Sequence, residues 1–247
     1  MRLLDLFSGI GGFSLAASWV WGDELDIVGF CEIDKYCHKV LNKNFPGVPI
    51  HKDITTLDGN QFKNIDIITG GFPCQDISIA GRGKSLINEE TGETTRSGLW
   101  FEMLRVISEV RPRYTLIENV PMLTVRGGVR VIADLTEIGY DASWTIISAK
   151  DVGAWHKRAR IWIVATDSNS KRRCRWNTKW KDAKDVRKLR RSPKYGYWNA
   201  EPKLGRVANG IPNRVDRLKG LGNAIVPQVA YEIFKRIRSL ELGIEKE

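Results

Sequence analysis

Short apolar runs alternate with segments of helical periodicity over the first two thirds of the chain. Residues 2–7 read as a strand, a glycine turn follows at 8–12, and 13–20 has helical spacing. The unit then repeats: 26–31 reads as a strand ending in the acidic pair Glu32 and Asp34, with a helix over about 35–44. A third strand over 65–69 breaks at Gly70-Gly71-Phe72-Pro73-Cys74-Gln75, where two glycines and a proline cannot continue it. The stretch that follows is too long and too polar for an ordinary connection, and predicts a functional flap over 76–97. Helical spacing returns over 99–110, a strand over 114–117 closes on Glu118-Asn119-Val120-Pro121, and 128–138 reads as another helix. Further strands are expected over 142–148 and 160–166. Periodicity ends near Asp167; Gly222 then reads as a turn before an amphipathic helix over 227–240, with Val229, Ile233, Phe234 and Ile237 on one side. Strands alternating with helices in this way predict an α/β domain, its mostly parallel sheet covered on both faces, with a small lobe after it.

Charge marks that lobe. The chain of 247 residues carries 39 Lys and Arg against 29 Asp and Glu, and a formal charge of +10. Residues 171–194 hold 12 basic and 2 acidic residues, so this one segment accounts for the whole imbalance. Trp176, Trp180, Tyr195, Tyr197 and Trp198 interrupt or follow it, a mixture of cations and flat rings suited to a polyanion. Four scattered cysteines do not make a disulfide framework, no apolar run reaches membrane-spanning length, and the first strand leaves no room for a signal peptide. The expected compartment is the cytoplasm. His38, His51 and His156 have no ligand spacing with the cysteines, so no metal site is expected.

Candidate chemistry collects at the strand ends, where parallel sheets bind ligands. Phe7-Ser8-Gly9-Ile10-Gly11-Gly12 follows a strand and opens a helix, allowing close approach to backbone N–H groups. Glu32 ends the next strand, where an acid can hold a ribose diol, and Asp53 can accept from an adenine amino group. The glycine stretch lacks the full pyrophosphate fingerprint, and there is no GxxxxGK[ST] run. A nucleoside cofactor without a pyrophosphate fits better, and S-adenosylmethionine meets that description. Cys74 follows Pro73 in a loop at a strand terminus, while Glu118 ends another strand and can come near it at a shared sheet edge. Cys31, Cys37 and Cys174 lack this setting.

Taken in order, Asp5-Leu6-Phe7-Ser8-Gly9-Ile10-Gly11-Gly12, Gly71-Phe72-Pro73-Cys74-Gln75, Glu118-Asn119-Val120, Arg158-Ala159-Arg160 and Gly222-Asn223-Ala224-Ile225-Val226-Pro227 resemble the cytosine-C5 DNA methyltransferases, of the bacterial or phage type. The resemblance implies a Rossmann-like methyltransferase fold plus a small basic DNA-recognition lobe, with S-adenosylmethionine as methyl donor and S-adenosylhomocysteine as product. The implied division is a catalytic domain over 1–166, a short basic target-recognition region over 167–206, and a C-terminal segment over 207–247 whose helix returns to the catalytic domain. Carried over residue by residue, Cys74 is the nucleophile and Glu118 its partner at cytosine N3, with Arg160 and Arg158 supporting the flipped base and the catalytic loop. The cofactor pocket is matched by Phe7, Gly9, Gly11, Gly12, Glu32, Ile33, Asp53, Ile54, Pro73, Leu99, Asn223 and Ile225. DNA contacts are expected from Gln75, Arg82, Lys84, Arg173, Arg175, Lys179, Trp180 and Arg214.

His156 stands where the family has a glutamine two residues before the first arginine, and the block around Arg214 departs from the family pattern. The implied partner is double-stranded DNA, read by a monomer through a recognition region of only about forty residues. An RNA substrate, a catalytically idle DNA-binding module and a separately encoded restriction endonuclease remain open at this level.

Overall fold

A computed structural model of the chain describes residues 1–73, 99–169 and 214–244. The expected flap, with Cys74, Gln75, Arg82 and Lys84, lies outside the described residues, as does the basic segment with Arg173, Arg175, Lys179 and Trp180.

Among the described residues seven strands make one sheet: β1 (Arg2–Leu6), β2 (Asp26–Cys31), β3 (Ile50–His51), β4 (Ile67–Gly70), β5 (Tyr114–Asn119), β6 (Tyr140–Ser148) and β7 (Ala159–Asp167). Their order across the sheet is β3-β2-β1-β4-β5-β7-β6. Every neighbouring pair is parallel except β5–β7 and β6–β7, because β7 alone runs backwards. The fold is thus a Rossmann-like α/β sheet, mostly parallel, as the alternation of strands and helices implies.

Among the described residues six helices accompany it: α1 (Gly12–Trp21), α2 (Lys35–Asn44), α3 (Leu99–Val110), α4 (Gly128–Glu137), α5 (Arg214–Asn223) and α6 (Pro227–Glu241). The strands alternate sides as their period of two requires. Leu3, Tyr114, Leu116, Trp162 and Val164 meet Phe13, Ala16 and Ala17 of α1 and Val229, Ile233, Phe234 and Ile237 of α6 on one face. Leu4, Leu6, Ile68, Ile117, Ile161 and Ile163 meet Trp100, Met103 and Val106 of α3 and Val131 and Leu135 of α4 on the other. The four apolar residues expected on one side of the last helix are therefore the ones α6 buries, and it packs on α1.

Two elements differ from the sequence reading. β3 is only two residues long, and a strand that short leaves no periodicity to detect. Gly222 does not mark a turn: it falls in the last turn of α5. Gly220 and Gly222 lower the helix propensity of this stretch, but a Cβ on Gly220 would already stand 3.5 Å from Ile10 and 3.6 Å from Tyr36. The helix packs against both residues at ordinary van der Waals distance. Lys219 closes the contact through an ion pair with Asp34 at 2.5 Å, which joins α5 to the N-cap of α2.

Candidate active site

The carboxyl ends of β1, β2, β3, β4 and β5 share one edge, and most of the expected site residues lie along it. Phe7 leaves β1 at φ 50°, a left-handed conformation that turns the chain into the glycine stretch. Gly9 also has positive φ, and its N–H donates to Glu32 Oε2 at 2.7 Å. The other oxygen of Glu32 accepts from the N–H of Asp34 at 2.8 Å, so the carboxylate is fixed between the glycine turn and the start of α2. Asp34 caps that helix by accepting from Tyr36 and Cys37. Asp53 follows β3 and accepts from the N–H and hydroxyl of Thr55, at 2.9 and 2.8 Å; the Thr55 bonds hold its carboxyl below the usual carboxylate range. Ile54 is buried beneath it, whereas Ile33 is 75 % exposed.

Two glycines of the turn are required by neighbours. A Cβ on Gly11, which sits at φ 84°, would lie 2.6 Å from the Phe45 ring. One on Gly12 would lie 2.7 Å from Ile225 Cγ1. The second contact brings the 223–225 segment, which joins α5 to α6, against the glycine turn. Asn223 and Ile225 thus share a neighbourhood with Gly12 although more than 200 residues separate them. Leu99 opens α3 and packs on the core, and Pro73 follows β4 half-buried.

Asp5, inside β1, is fully buried. Its two carboxyl oxygens accept from Thr69 Oγ1 of β4 at 2.9 Å and Ser14 Oγ of α1 at 2.8 Å, and its carbonyl accepts from the Ser8 hydroxyl. It therefore pins the strand before the glycine turn, the helix after it and the next strand to one point. Burial raises its pKa from 3.8 to about 7, against the lowering by the two hydroxyls. Sequence reading gave Asp5 no role beyond its place in a motif; its neighbours Leu4 and Leu6 on a fully buried strand were the available signal.

Glu118, the last residue but one of β5, is buried. Arg160, two positions along β7 from the Trp162 that pairs with Glu118, reaches it diagonally: Nε stands 2.9 Å from Oε1. Burial pushes the Glu118 pKa up from 4.5 to about 7, while the charges of Arg160 and Arg158 pull it down. The other carboxyl oxygen lies against the backbone before the expected nucleophile, since a Cβ on Gly71 would be 3.1 Å from Oε2. Asn119 strengthens the same junction from the opposite face, donating from Nδ2 to the carbonyl of Phe72 at 3.2 Å. Cys74 itself lies outside the described residues, but the chain leading to it lies against Glu118 and is hydrogen-bonded to Asn119.

Arg158 precedes β7, and its Nη2 donates to the carbonyls of Gly222 at 2.8 Å and Ala224 at 2.5 Å. His156, in place of the glutamine, lines with Arg158 one end of a cleft of about 1000 Å³ that runs along Gly12, Phe45 and Ile225. Arg214 is the first residue of α5. Cys31 and Cys37 are buried, and burial, with the Glu32 charge, pushes both thiols up to about 12, so neither is a nucleophile. Among the described residues no group of three His, Cys, Asp or Glu could hold a metal ion, and no helix is long and apolar enough to cross a membrane.

A buried acid of raised pKa, a strand-to-loop junction ending in a thiol, and a glycine turn flanked by two acids make a site for a nucleophile, a proton donor and a nucleoside. The profile of the C-5 cytosine-specific DNA methylases matches residues 1–204. The chain is 36 % identical over 173 residues to the Type II methyltransferase M1.ScrFI of Lactococcus lactis subsp. cremoris, covering 68 % of this chain and 42 % of that protein. It is 37 % identical over 174 residues to the Type II methyltransferase M2.BsuMI of Bacillus subtilis, covering 67 % of this chain and 42 % of the relative. The chain thus spans less than half the length of these relatives. In fold it is similar to the S. pombe Dnmt2 methyltransferase, with a TM-score of 0.54 and 24 % identity over 69 % of this chain and 50 % of that one.

Proposed function

The chain belongs to the C-5 cytosine-specific DNA methylase family, and from that premise we propose that it transfers a methyl group from S-adenosylmethionine to C5 of a flipped cytosine in duplex DNA, through a covalent adduct on Cys74. The observation that carries this reading is the junction at Glu118. A carboxyl with a pKa of about 7 lies against Gly71, three residues and at most about 11 Å of chain from the thiol. An acid that still holds a proton near neutrality can serve one ring while a thiolate serves the other side of it.

The strand-end residues suit the cofactor chemically. Glu32 and Asp53 offer acceptors for a ribose diol and an adenine amino group, Phe7 an apolar surface, and Gly9 room, with no heavy atom within 4 Å of where its Cβ would stand. When bound, S-adenosylmethionine supplies an electrophilic methyl group. The protein's own part is to make C5 nucleophilic, which an aromatic cytosine is not. The Cys74 thiolate forms a bond to C6, and the electron pair of the C5–C6 double bond moves into the ring toward N3 and C5. Glu118 donates its proton, or a strong hydrogen bond, at N3 and so takes up the charge. After methylation, which leaves S-adenosylhomocysteine, water takes the C5 proton, the electron pair of that bond reforms the C5–C6 double bond and expels the Cys74 sulfur as thiolate, and Glu118 recovers its proton from N3. A thiol suits both steps because it ionises near neutrality and leaves readily.

Arg160 holds the Glu118 carboxyl through Oε1. Glu118 therefore keeps one orientation while its other oxygen serves the base. The flipped base leaves the stacked duplex, and the cations of the basic segment over 171–194 suit phosphate contacts. The reaction belongs in the cytoplasm, where DNA and S-adenosylmethionine are both present.

Incubation with labelled S-adenosylmethionine and duplex DNA tests the reading. The wild-type chain should incorporate methyl groups and form an adduct with 5-fluorocytosine DNA that survives denaturation. Cys74→Ser should keep DNA binding and lose both. Undiminished methylation by Cys74→Ser refutes the nucleophile, and transfer to structured RNA but not duplex DNA refutes the substrate. Bisulfite sequencing of the methylated plasmid reads the target site.

A further inference from the structure

The arginine pair before and within β7 divides into two different jobs. Arg160 turns to the Glu118 carboxyl. Arg158 turns away from it, toward the backbone that joins α5 to α6, where one nitrogen, Nη2, donates to the carbonyls of both Gly222 and Ala224. Gly222 O belongs to the last turn of α5 and so to the carbonyls a helix end leaves unpartnered. Ala224 lies between Asn223 and Ile225, and Ile225 is the residue that meets Gly12. A guanidinium is suited to such a double contact because it stays charged and offers its donors in one plane.

The base of Arg158 is fixed as firmly as its tip. Its backbone has φ 32°, a left-handed conformation that a side-chain-bearing residue keeps only where its surroundings impose it. They do so through the turn after β6. Ser148 and Asp151 form a reciprocal capping box, the Ser148 hydroxyl donates to the carbonyl of Lys157, and Ala154 N–H donates to Ala149 O at 3.0 Å. The loop is thus tied down one residue before Arg158, and β7 begins one residue after it.

We propose that Arg158 is a positioning residue that anchors the 222–224 junction, and with it the Asn223–Ile225 side of the cofactor site, to the strand that carries Arg160. The proposal rests on the methyltransferase reading for the identity of the cofactor. It gives Arg158 a different task from Arg160 and makes the cofactor wall and the Glu118 clamp parts of one rigid unit. Without Arg158, α5 keeps its ion pair to Asp34 and α6 keeps its packing on α1. What is released is the short junction between them.

The test is cofactor binding in the absence of DNA, measured on the whole chain by titration with S-adenosylhomocysteine. Wild-type binding establishes the cofactor reading first; a chain that binds no S-adenosylhomocysteine refutes that reading and not the role of Arg158. With binding established, Arg158→Ala should weaken it about tenfold and raise the KM for S-adenosylmethionine in proportion, with a smaller fall in kcat and an unchanged KM for DNA. Arg158→Lys, which keeps a charged multiple donor on a shorter arm, should recover part of the affinity and serves where the alanine variant does not fold. The proposal is overturned if both folded variants bind S-adenosylhomocysteine as wild type does while the KM for DNA rises, because Arg158 would then act on the nucleic acid.

Discussion

The Asp5 carboxyl links the stability of the fold to pH, and the linkage can be counted in protons. In the unfolded chain this group titrates at 3.8; in the folded chain burial moves it to about 7. Between those values the folded state holds a proton that the unfolded state has released, so stability falls as pH rises through the window. At 1.36 kcal/mol per unit, the shift of about 3 units costs about 4 kcal/mol once both states are ionised, above pH 7. Glu118 acts with the same sign, from 4.5 to about 7, and adds about 3 kcal/mol over an overlapping window. Two groups then give a slope of about 3 kcal/mol per pH unit between pH 5 and 6.5. The lowered carboxyls, Asp34 and Asp53, act the other way only below pH 4 and do not disturb this range.

Asp5→Asn removes one of the two titrations. An amide oxygen can still accept from Ser14 or Thr69, and the amide nitrogen can donate to the remaining hydroxyl, so the variant loses about 1 kcal/mol of hydrogen bonding. Urea unfolding followed by tryptophan fluorescence at several pH values from 4.5 to 8.5 should show the wild-type slope halved in the variant. The two curves should meet near pH 4.5, where the wild type has already lost about 1 kcal/mol to ionisation of the unfolded chain, and diverge above it, with Asp5→Asn the more stable at pH 8.5 by about 3 kcal/mol. Parallel curves across the range would refute the assignment of a proton to Asp5.

Gly12→Ala should lower stability by about 1–3 kcal/mol and weaken cofactor binding, because its Cβ meets Ile225 Cγ1 at 2.7 Å; Ile225→Ala in the same chain should restore part of both, as double-mutant unfolding and cofactor titration would reveal. Asn119→Ala removes the tie to Phe72 and should lower kcat about tenfold with S-adenosylhomocysteine affinity unchanged, in single-turnover assays on duplex DNA. Replacing Lys171, Arg172, Arg187 and Arg190 by alanine should reduce the log–log salt slope of DNA affinity by about 3–4, and an unchanged slope would remove these residues from the phosphate contacts.

Those perturbations also separate what the chain discloses locally from what only folding brings about. The strands and helices flanking the glycine turn, the helix opening at Leu99, and α6 were legible because their apolar residues recur at the right period over enough residues. β3 was too short for that, and α5 was hidden by Gly220 and Gly222, whose low helix propensity is overridden by contacts with Ile10, Tyr36 and Asp34 far away in sequence. The site was legible in its residue types and not in its contacts. Glu32 reads as an acid at a strand end, but nothing local says that its carboxylate is fixed by the N–H groups of Gly9 and Asp34. Likewise the Arg158-Ala159-Arg160 spacing suggests two equivalent arginines, since alternate positions approaching a strand face one side. The structure gives them different acceptors because the end of α5 and the junction after it, some sixty residues on, supply the carbonyls.

The reversal of β7 is what allows that cluster to exist. In a wholly parallel sheet the residues entering a strand lie at the opposite edge from those leaving its neighbour, and a strand of 9 residues would hold them about 26 Å apart. Because β7 runs against β5, its beginning meets the end of β5: Asn119 pairs with Ile161 and Glu118 with Trp162. Arg160 then falls on the same side as Glu118 and one step beyond it, within reach of the carboxyl. The antiparallel pair thus places a cation beside a buried acid at the edge where the parallel strands end, while the parallel strands bring the glycine turn and the approach to Cys74 to that same edge. An arginine here opposes the rise in pKa that burial causes, and the outcome, about 7, lies where a carboxyl can lend and recover a proton near neutrality. With burial alone the acid would hold its proton too firmly, and with the arginine in a solvated setting it would be ionised throughout.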